Sequence, residues 1–496
     1  MKNRTLLNSA ANAASKVWAI LSLYLFVPLY IHFLGEEAYG LVSFFTTMSA
    51  ALNLLGLGLS STLRREFALD CDGGHAANLR KYRLLRDVEL LFGAVALLIA
   101  AGCLLLAPQI AGRWLHASAL GTGVVTQAVR LMAVSIVLQL VANLYFGALL
   151  GLGRQVLANS LHIAWSAAKA LGSVAVLALI AADVRGFYFW HIIVDAVYIL
   201  VLRRVLLRQI SGEGVLTWRR EDLALLKTVW RYAGGLALIS LVAFVNTQFD
   251  RIIISGSLSL TELGAYSSCG TLGQLITMVS SAVGTAVFPV FASKQGEELK
   301  AVFERYYHLV AVGVCAMGMF VAVYSSSLLL FWTRSDVYAG LTAGSSSLVI
   351  LGSMFVALQE VPYAFVLAQG DTSLNLKLGL TCLPLVALGM FWGVRHYGLM
   401  GAAAVYCGAM ALQTAAYIFM VYRKYFRSGF CRWLLRDTML PMVCCLVLAL
   451  LSRMICTLLG LSGLLQILFA GSTGAASLAV VVFALARKEL RALLRE

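Results

Sequence analysis

Five polar residues, Asn159, His162, Ser166, Lys169 and Ser173, recur at i, i+3, i+7, i+10 and i+14 in an otherwise apolar run over residues 155–181. That spacing puts them on one face of a helix. Lys169 lies mid-run, too deep for its ammonium to reach an interface easily. An ionisable side chain there is costly against lipid and therefore faces a cavity or a partner. Two arrangements satisfy this. The stripe lines a cavity in which Lys169 attracts an anion, or it packs against other helices with Lys169 paired to a buried carboxylate. Two further cations extend the pattern. Lys16 follows Asn8 and Asn12 at four-residue spacing near the start of the first apolar run, and Arg130 lies near one end of the fourth, with Gln139 and Asn143 deeper. A guanidinium holds a phosphate with a fork of donors. The plainer roles are a snorkelling lysine for Lys16 and an interfacial anchor for Arg130.

Asp195 and Glu360 are the mid-run carboxylates, Glu360 two residues before Pro362. Each could take a proton and couple movement to a gradient, or balance Lys169. Asn246, Asp250 and Arg251 stand near the end of the seventh run, where an Asp250–Arg251 ion pair would gate a path or simply anchor a helix end. Gln274 (with Ser267, Thr271 and Ser281), Tyr363 and Gln413 (with Tyr406 and Tyr417) add amides, hydroxyls and rings that suit sugar contacts or ordinary interhelical hydrogen bonds. Lys16, Arg130 and Lys169 as the cationic set, against Asp195 and Glu360, favour an anionic ligand.

The elements that position these residues follow from composition. Of 496 residues, 61% are hydrophobic and only 12% charged, and mean hydropathy is +0.87. A water-soluble domain carries about 25% charged residues, so the chain reads as an all-α polytopic membrane protein. Fourteen spans are expected, near 13–33, 38–60, 88–107, 126–150, 155–181, 186–207, 228–249, 263–291, 306–332, 339–368, 374–394, 398–422, 437–457 and 462–486. The eighth and tenth exceed one bilayer crossing, which predicts tilt or kinking, and Pro28, Pro362, Pro384 and Pro441 are kink candidates. With the N-terminus inside, 29 of the 38 lysines and arginines fall in the tails and even-numbered connections and six in the odd-numbered ones. This predicts N-in and C-in topology. The net charge of +15 then marks the cytoplasmic face and its anionic lipids, with no need of nucleic acid. No phosphate-binding GxxxxGK[ST] loop, HExxH or zinc-spaced Cys/His set occurs, so no metal site is expected. The ten cysteines lie mostly in apolar runs, as small hydrophobes, and no cleavable signal precedes the first run.

The chain repeats itself. Leu34-Gly35-Glu36-Glu37-Ala38-Tyr39-Gly40 has a counterpart in Leu260-Thr261-Glu262-Leu263-Gly264-Ala265-Tyr266. Gly151-Leu152-Gly153-Arg154, with Asn159 following, has one in Gln369-Gly370-Asp371 with Asn375. Both offsets are near 220 residues. The expected organisation is an N-terminal six-helix lobe (1–210), an amphipathic cytoplasmic linker (211–227), a pseudosymmetric six-helix lobe (228–430), and two added helices with a tail (431–496). Duplicated bundles place their site between the halves and rock around it.

Asn8-Ser9, Leu34-Gly35 with Tyr39-Gly40, and Leu55-Gly56-Leu57 followed by Arg64-Arg65 resemble the opening of the Wzx-type polysaccharide flippases. So do Asp250-Arg251-Ile252-Ile253-Ile254, Leu263-Gly264-Ala265-Tyr266 and Phe288-Pro289 resemble the start of their second half. This family belongs to the multidrug/oligosaccharidyl-lipid/polysaccharide exporter superfamily. The resemblance covers the first twelve spans and rests on turn-forming motifs. It implies a non-enzymatic flippase of the bacterial inner membrane. It would move an undecaprenyl-pyrophosphate-linked oligosaccharide to the outer leaflet by alternating access, for O-antigen, capsule or exopolysaccharide synthesis. The first and eighth spans would flank a portal for the isoprenoid tail. No cofactor is implied, and protons, sodium or the membrane potential could drive transport. Partners would be the lipid-linked glycan, membrane lipids, a polysaccharide polymerase and a chain-length regulator. A lipid-linked peptidoglycan precursor flippase and a cation-exporting multidrug antiporter of the same superfamily are the alternatives. A membrane glycosyltransferase or polymerase could use Glu36 and Glu37, but their connection is about five residues long and fits a helix-start turn better.

Overall fold

The computed structural model describes residues 2–69, 75–210, 241, 244–371, 373–427 and 429–485, with side chains described except at 2–6, 8–9, 52–59, 62, 69 and 75–77. The 211–227 linker, the start of the seventh span and the C-terminal tail lie outside the described residues. The chain divides into two compact units, Met1–Gln248 and Phe249–Glu496. The division falls inside a continuous helix.

The first unit contains α1 (Lys2–Leu34), α2 (Glu36–Leu69), α3 (His75–Gln109, continued by a π-helical turn Ile110–Trp114), α4 (Thr122–Gly151), α5 (Gln155–Leu179) and α6 (Val184–Gln209). Residues 244–257 form α7 across the division. The second unit continues with α8 (Leu260–Ser293), α9 (Gly296–Val323), α10 (Ser325–Thr333), α11 (Asp336–Leu341), α12 (Ser345–Ala368) and α13 (Ser373–Val421). After a π-helical segment, Tyr422–Phe426, come α14 (Phe430–Arg432), a second π-helical segment Trp433–Met439, α15 (Leu440–Leu458) and α16 (Gly463–Leu485). Among the described residues, ten helical stretches are long and apolar enough to cross a membrane. Leu98, Leu105 and Leu179 are 74%, 77% and 83% exposed, a surface that suits lipid and not water.

Several expected boundaries shift. The run 306–332 breaks at Tyr324, which caps α9 through Phe320 O and Ala322 O and starts α10. The run 339–368 is two helices, parted at Gly344 with φ +83°, a conformation costly for any residue with a Cβ. The spans 374–394 and 398–422 are, as expected, two helices, parted at Gly398, whose φ of 54° and ψ of −134° are not helical. The two fold back on each other, with Gly393 and Gly401 backbone to backbone, where a Cβ on Gly401 would overlap Gly393. Pro441 follows closely on the π-helical segment Trp433–Met439 within a helical stretch that runs unbroken from 430 to 458, and the widened turn accommodates its missing N–H. The seventh span continues to residue 257 because Ile252-Ile253-Ile254 prolong the apolar run. Asp250 and Arg251 are therefore inside a helix and not in a connection.

The repeat has a physical basis. α4 ends with Gly153 N donating to Leu150 O (3.1 Å) and Arg154 N to Leu149 O (3.1 Å), and α12 ends with Gly370 N to Leu367 O (2.9 Å) and Asp371 N to Val366 O (3.2 Å). Both are Schellman caps with a left-handed glycine. The other pair of turns differs: Gly35 closes α1 in a left-handed conformation, whereas α8 opens with a Ser259/Glu262 capping box. In the first unit α4 packs on α2, α3 and α6, and in the second α12 packs on α8, α9 and α13. Small residues allow the close approach: a Cβ on Gly151 would come 2.6 Å from Arg64 O, and Gly273 receives the Ser353 side chain.

Candidate functional site

The stripe on α5 meets the polar residues of α1, α4 and α6, all within the first unit. Lys169 Nζ lies 3.1 Å from Asp195 Oδ1 and 3.2 Å from Oδ2. Asp195 is 1% exposed and the Lys169 side chain 12%. Trp165 Nε1 donates to Asp195 Oδ1 (2.8 Å) and Ser135 Oγ to Oδ2 (2.7 Å). Gln139 Nε2 donates to Ser135 Oγ at 3.1 Å and reaches Oδ2 at 3.4 Å. The Lys169 ammonium also stands 4.9 Å over the Trp165 ring, a cation–π contact. Four side chains, Lys169, Trp165, Ser135 and Gln139, thus converge on Asp195. The pair joins α5 to α6, and Ser135 and Gln139 add α4.

The rest of the stripe turns toward neighbouring helices. Asn159 Nδ2 donates to Asn12 Oδ1 on α1 (2.6 Å) and to Gln155 O (2.9 Å). His162 packs between Phe146 (5.3 Å) and Trp165 (5.0 Å), and Trp165 stacks on Tyr198 at 4.9 Å. Ser173 Oγ meets His191 Nε2 at 3.0 Å. The Tyr198 hydroxyl and His191 Nδ1 are buried with no hydrogen-bond partner among the described residues. Ser166 is half-buried. Asn143 O accepts from Ser60 Oγ (3.0 Å) across the α2–α4 contact.

Lys16 on α1 and Arg130 on α4 are exposed, and no carboxylate pairs with either among the described residues. The structure does not bring them into the Lys169–Asp195 cluster. In the second unit, Asp250 is buried and accepts from the Tyr266 hydroxyl (2.9 Å), while the Arg251 guanidinium lies against Gly270. Glu360 is half-buried on α12, Tyr363 one turn along is 42% exposed, Gln274 is exposed on α8, and Gln413 and Asn246 are half-buried. Among the described residues, no group of three metal-ligating side chains converges.

Trp165, Ser135, Tyr198 and His191 escaped the sequence reading. Trp165 was legible in principle, one turn before Lys169. Ser135 and Asp195 are 60 residues apart, and only the rotation of their helices joins them. Glu37 was expected to serve as a helix-start charge. It does lie in the first turn of α2, and it is also buried, its carboxylate accepting from the backbone N–H groups of Ser118, Ala119 (2.7 Å) and Leu120 (3.1 Å). It therefore pins the connection between the π-helical end of α3 and α4. Glu89 similarly gathers Arg203 (3.0 Å) and the Tyr145 hydroxyl (2.8 Å) across α3, α6 and α4.

Comparison with known proteins adds the following. Residues 32–334 match the family described as polysaccharide biosynthesis protein. A Shigella flexneri protein named "Putative O-antigen transporter" is 24% identical over 383 residues, 75% of this chain and 86% of that protein. Among solved structures, lipid II flippase MurJ in an inward closed conformation superposes with TM-score 0.72 at 12% identity, over 97% of this chain and all of the other. An inward-facing multidrug resistance MATE family transporter of the MOP superfamily superposes with TM-score 0.64 at 14% identity, over 82% and 94%. The two superpositions show a shared fold.

Proposed function

Because this chain belongs to the polysaccharide biosynthesis protein family, we propose that it is a flippase carrying undecaprenyl-pyrophosphate-linked oligosaccharide units from the cytoplasmic to the outer leaflet of a bacterial inner membrane. The observation that carries the reading is the family match over residues 32–334, which spans most of the first compact unit and the start of the second. The protein acts as a transporter and not as an enzyme. The Shigella flexneri relative's name supports an O-antigen role.

A pyrophosphate and a hydrophilic glycan cannot cross hydrocarbon unaided, whereas an isoprenoid tail can remain in lipid. Lys16 and Arg130, exposed and without a carboxylate partner among the described residues, attract the pyrophosphate through charge-assisted hydrogen bonds. Lys169 is shared: Asp195 holds it in the substrate-free protein, and the pyrophosphate competes for the same ammonium. Asn12, Asn143, Asn159, His162, Ser166, Asn246, Gln274, Tyr363 and Gln413 supply polar contacts to the headgroup and sugars. Transport proceeds by alternating access, with Asp250 and Arg251 as gate residues. An inside-negative potential assists an anion outward by about 2.3 kcal/mol per charge per 100 mV. Glu360, a half-buried carboxylate, is the candidate for coupling to a proton or sodium ion.

The test is flipping of a fluorescent undecaprenyl-pyrophosphate oligosaccharide in proteoliposomes. Lipid II and an organic cation serve as competing cargoes. Flipping of the oligosaccharide by the wild type is expected. Transport of lipid II alone, or of the cation alone, would overturn the assignment in favour of the corresponding alternative.

A further inference from the structure

The turn between α13 and α15 builds a site that the transport reading leaves unused. The π-helical segment Tyr422–Phe426 stops at Arg427, whose φ is +59°, with Arg427 N donating to Tyr422 O at 2.6 Å. A non-glycine residue in that region is uncommon. Gly429 follows at φ +113°, and a Cβ there would press to 3.0 Å from the Tyr422 ring, so the turn closes against that ring. The closure forms a cavity of about 360 Å3 lined by Phe419, Tyr422, Arg423, Arg427, Phe430 and Arg432, among others. Its lining joins three guanidiniums to an edge-to-face pair, Phe419 and Phe430, at 5.2 Å. The three arginines are exposed, and among the described residues no carboxylate pairs with them. One carboxylate borders the cavity: Glu304 engages the Tyr422 side chain and stands 3.8 Å from the Cβ position of Gly429, so three guanidiniums against one carboxylate leave the lining net cationic.

We propose that this turn binds the headgroup of an anionic phospholipid. The guanidiniums take the phosphate diester, for which their forked donors are suited, and the phenyl pair borders the glycerol and first methylenes. The distribution of Lys and Arg places the turn at the cytoplasmic face, where basic pockets beside spanning helices meet anionic lipid. A free phosphate shares the anion chemistry but has no use for the aromatic wall. Phe419, 46% exposed, gives that wall an open edge for a chain. The inference does not depend on the identity of the transported glycan.

The experiment counts bound lipid on the full-length protein by native mass spectrometry. The probes are tetraoleoyl cardiolipin, dioleoylphosphatidylglycerol, dioleoylphosphatidylcholine and sodium pyrophosphate. Wild type is compared with Arg423→Gln/Arg427→Gln/Arg432→Gln, with Arg423→Gln alone, and with Arg64→Gln/Arg154→Gln/Arg204→Gln, which removes equal charge from exposed positions elsewhere. Each basic residue beside an anionic lipid is worth roughly fivefold in affinity, so the site triple binds about 100-fold more weakly and the single variant about fivefold. The control triple keeps wild-type binding, and phosphatidylcholine does not compete. Unchanged binding in the site variants, or an equal loss in the control, would overturn the proposal. Pyrophosphate binding as tightly as lipid and displacing it would reassign the cavity to a free phosphate anion. If the triple variant does not fold, the single substitution at exposed Arg423 carries the test. Flipping is not the readout, so this result and that of the transport assay stand apart.

Discussion

Replacing Lys169 by methionine removes an ammonium 3.1 Å from Asp195 and leaves that carboxylate, 1% exposed, without its counter-charge. At an effective dielectric constant of about 20, a unit pair at that separation is worth about 5 kcal/mol before desolvation is counted. Trp165 and Ser135 still donate to Asp195 and soften the loss. The expected destabilisation is therefore about 3–5 kcal/mol, the range for breaking a buried pair from one side. Asp195→Asn, which strands the ammonium, should cost nearly as much. Lys169→Met/Asp195→Asn should return to within about 1 kcal/mol of wild type, because the amide keeps the Trp165 and Ser135 hydrogen bonds and no charge stays buried. The assay is reversible unfolding from mild detergent by added SDS, followed by far-UV circular dichroism, with a coupling energy of about 5–9 kcal/mol from the double-mutant cycle. Single variants within 1 kcal/mol of wild type and no coupling would refute the claim that this pair ties α5 to α6. The double variant also separates fold from transport. Folded but inactive in flipping, it assigns Lys169 to the pyrophosphate; folded and active, it confines the pair to helix packing.

Further outcomes follow from other contacts. Gly151→Leu should destabilise the first unit by at least about 1–3 kcal/mol, since even a Cβ would come 2.6 Å from Arg64 O; the same unfolding titration measures it, and a neutral result would mean that α2 and α4 can part without cost. Glu37→Gln weakens the carboxylate that accepts from three consecutive backbone N–H groups, and amide exchange over residues 118–120 should speed up at least about fivefold, whereas unchanged exchange would show that the loop holds its own shape. Lys16→Gln/Arg130→Gln should raise the substrate concentration needed for half-maximal flipping with little change in unfolding, and an unchanged transport curve would remove both from the binding set. Lys424 and Ser373 beside Asp371 hold its carboxyl well below the usual range. A lowered folded-state value stabilises above the unfolded carboxyl pKa of about 3.9 and fades as pH falls through the folded value. Wild type should therefore exceed Asp371→Asn in melting temperature at pH 7, with the gap closing toward pH 3; a gap that widens in acid would contradict the sign.

The sequence by itself determined the class of protein and most of its helices. Few charges and long apolar runs leave a chain no option but to satisfy its backbone within each segment in lipid. The paired glycines near residues 153 and 370 are also legible one at a time, because a left-handed cap depends on a few consecutive residues. The α5 stripe was visible for the same reason: 3.6-residue periodicity puts Asn159, His162, Ser166 and Lys169 on one face. Which neighbour that face meets is decided elsewhere. Lys169 and Asp195 are 26 residues apart, Asn12 and Asn159 147, and Glu37 and Ala119 82. Each contact depends on the rotation and depth of two helices, set by many packing contacts such as Gly151 on Arg64. The break at Tyr324 belongs to the tertiary structure too, because an apolar run in lipid carries no periodic signal of where it must turn, whereas the turn at Gly398 fell between two expected spans. Composition could place a cation in the membrane; only the packing of α4, α5 and α6 could give it Asp195.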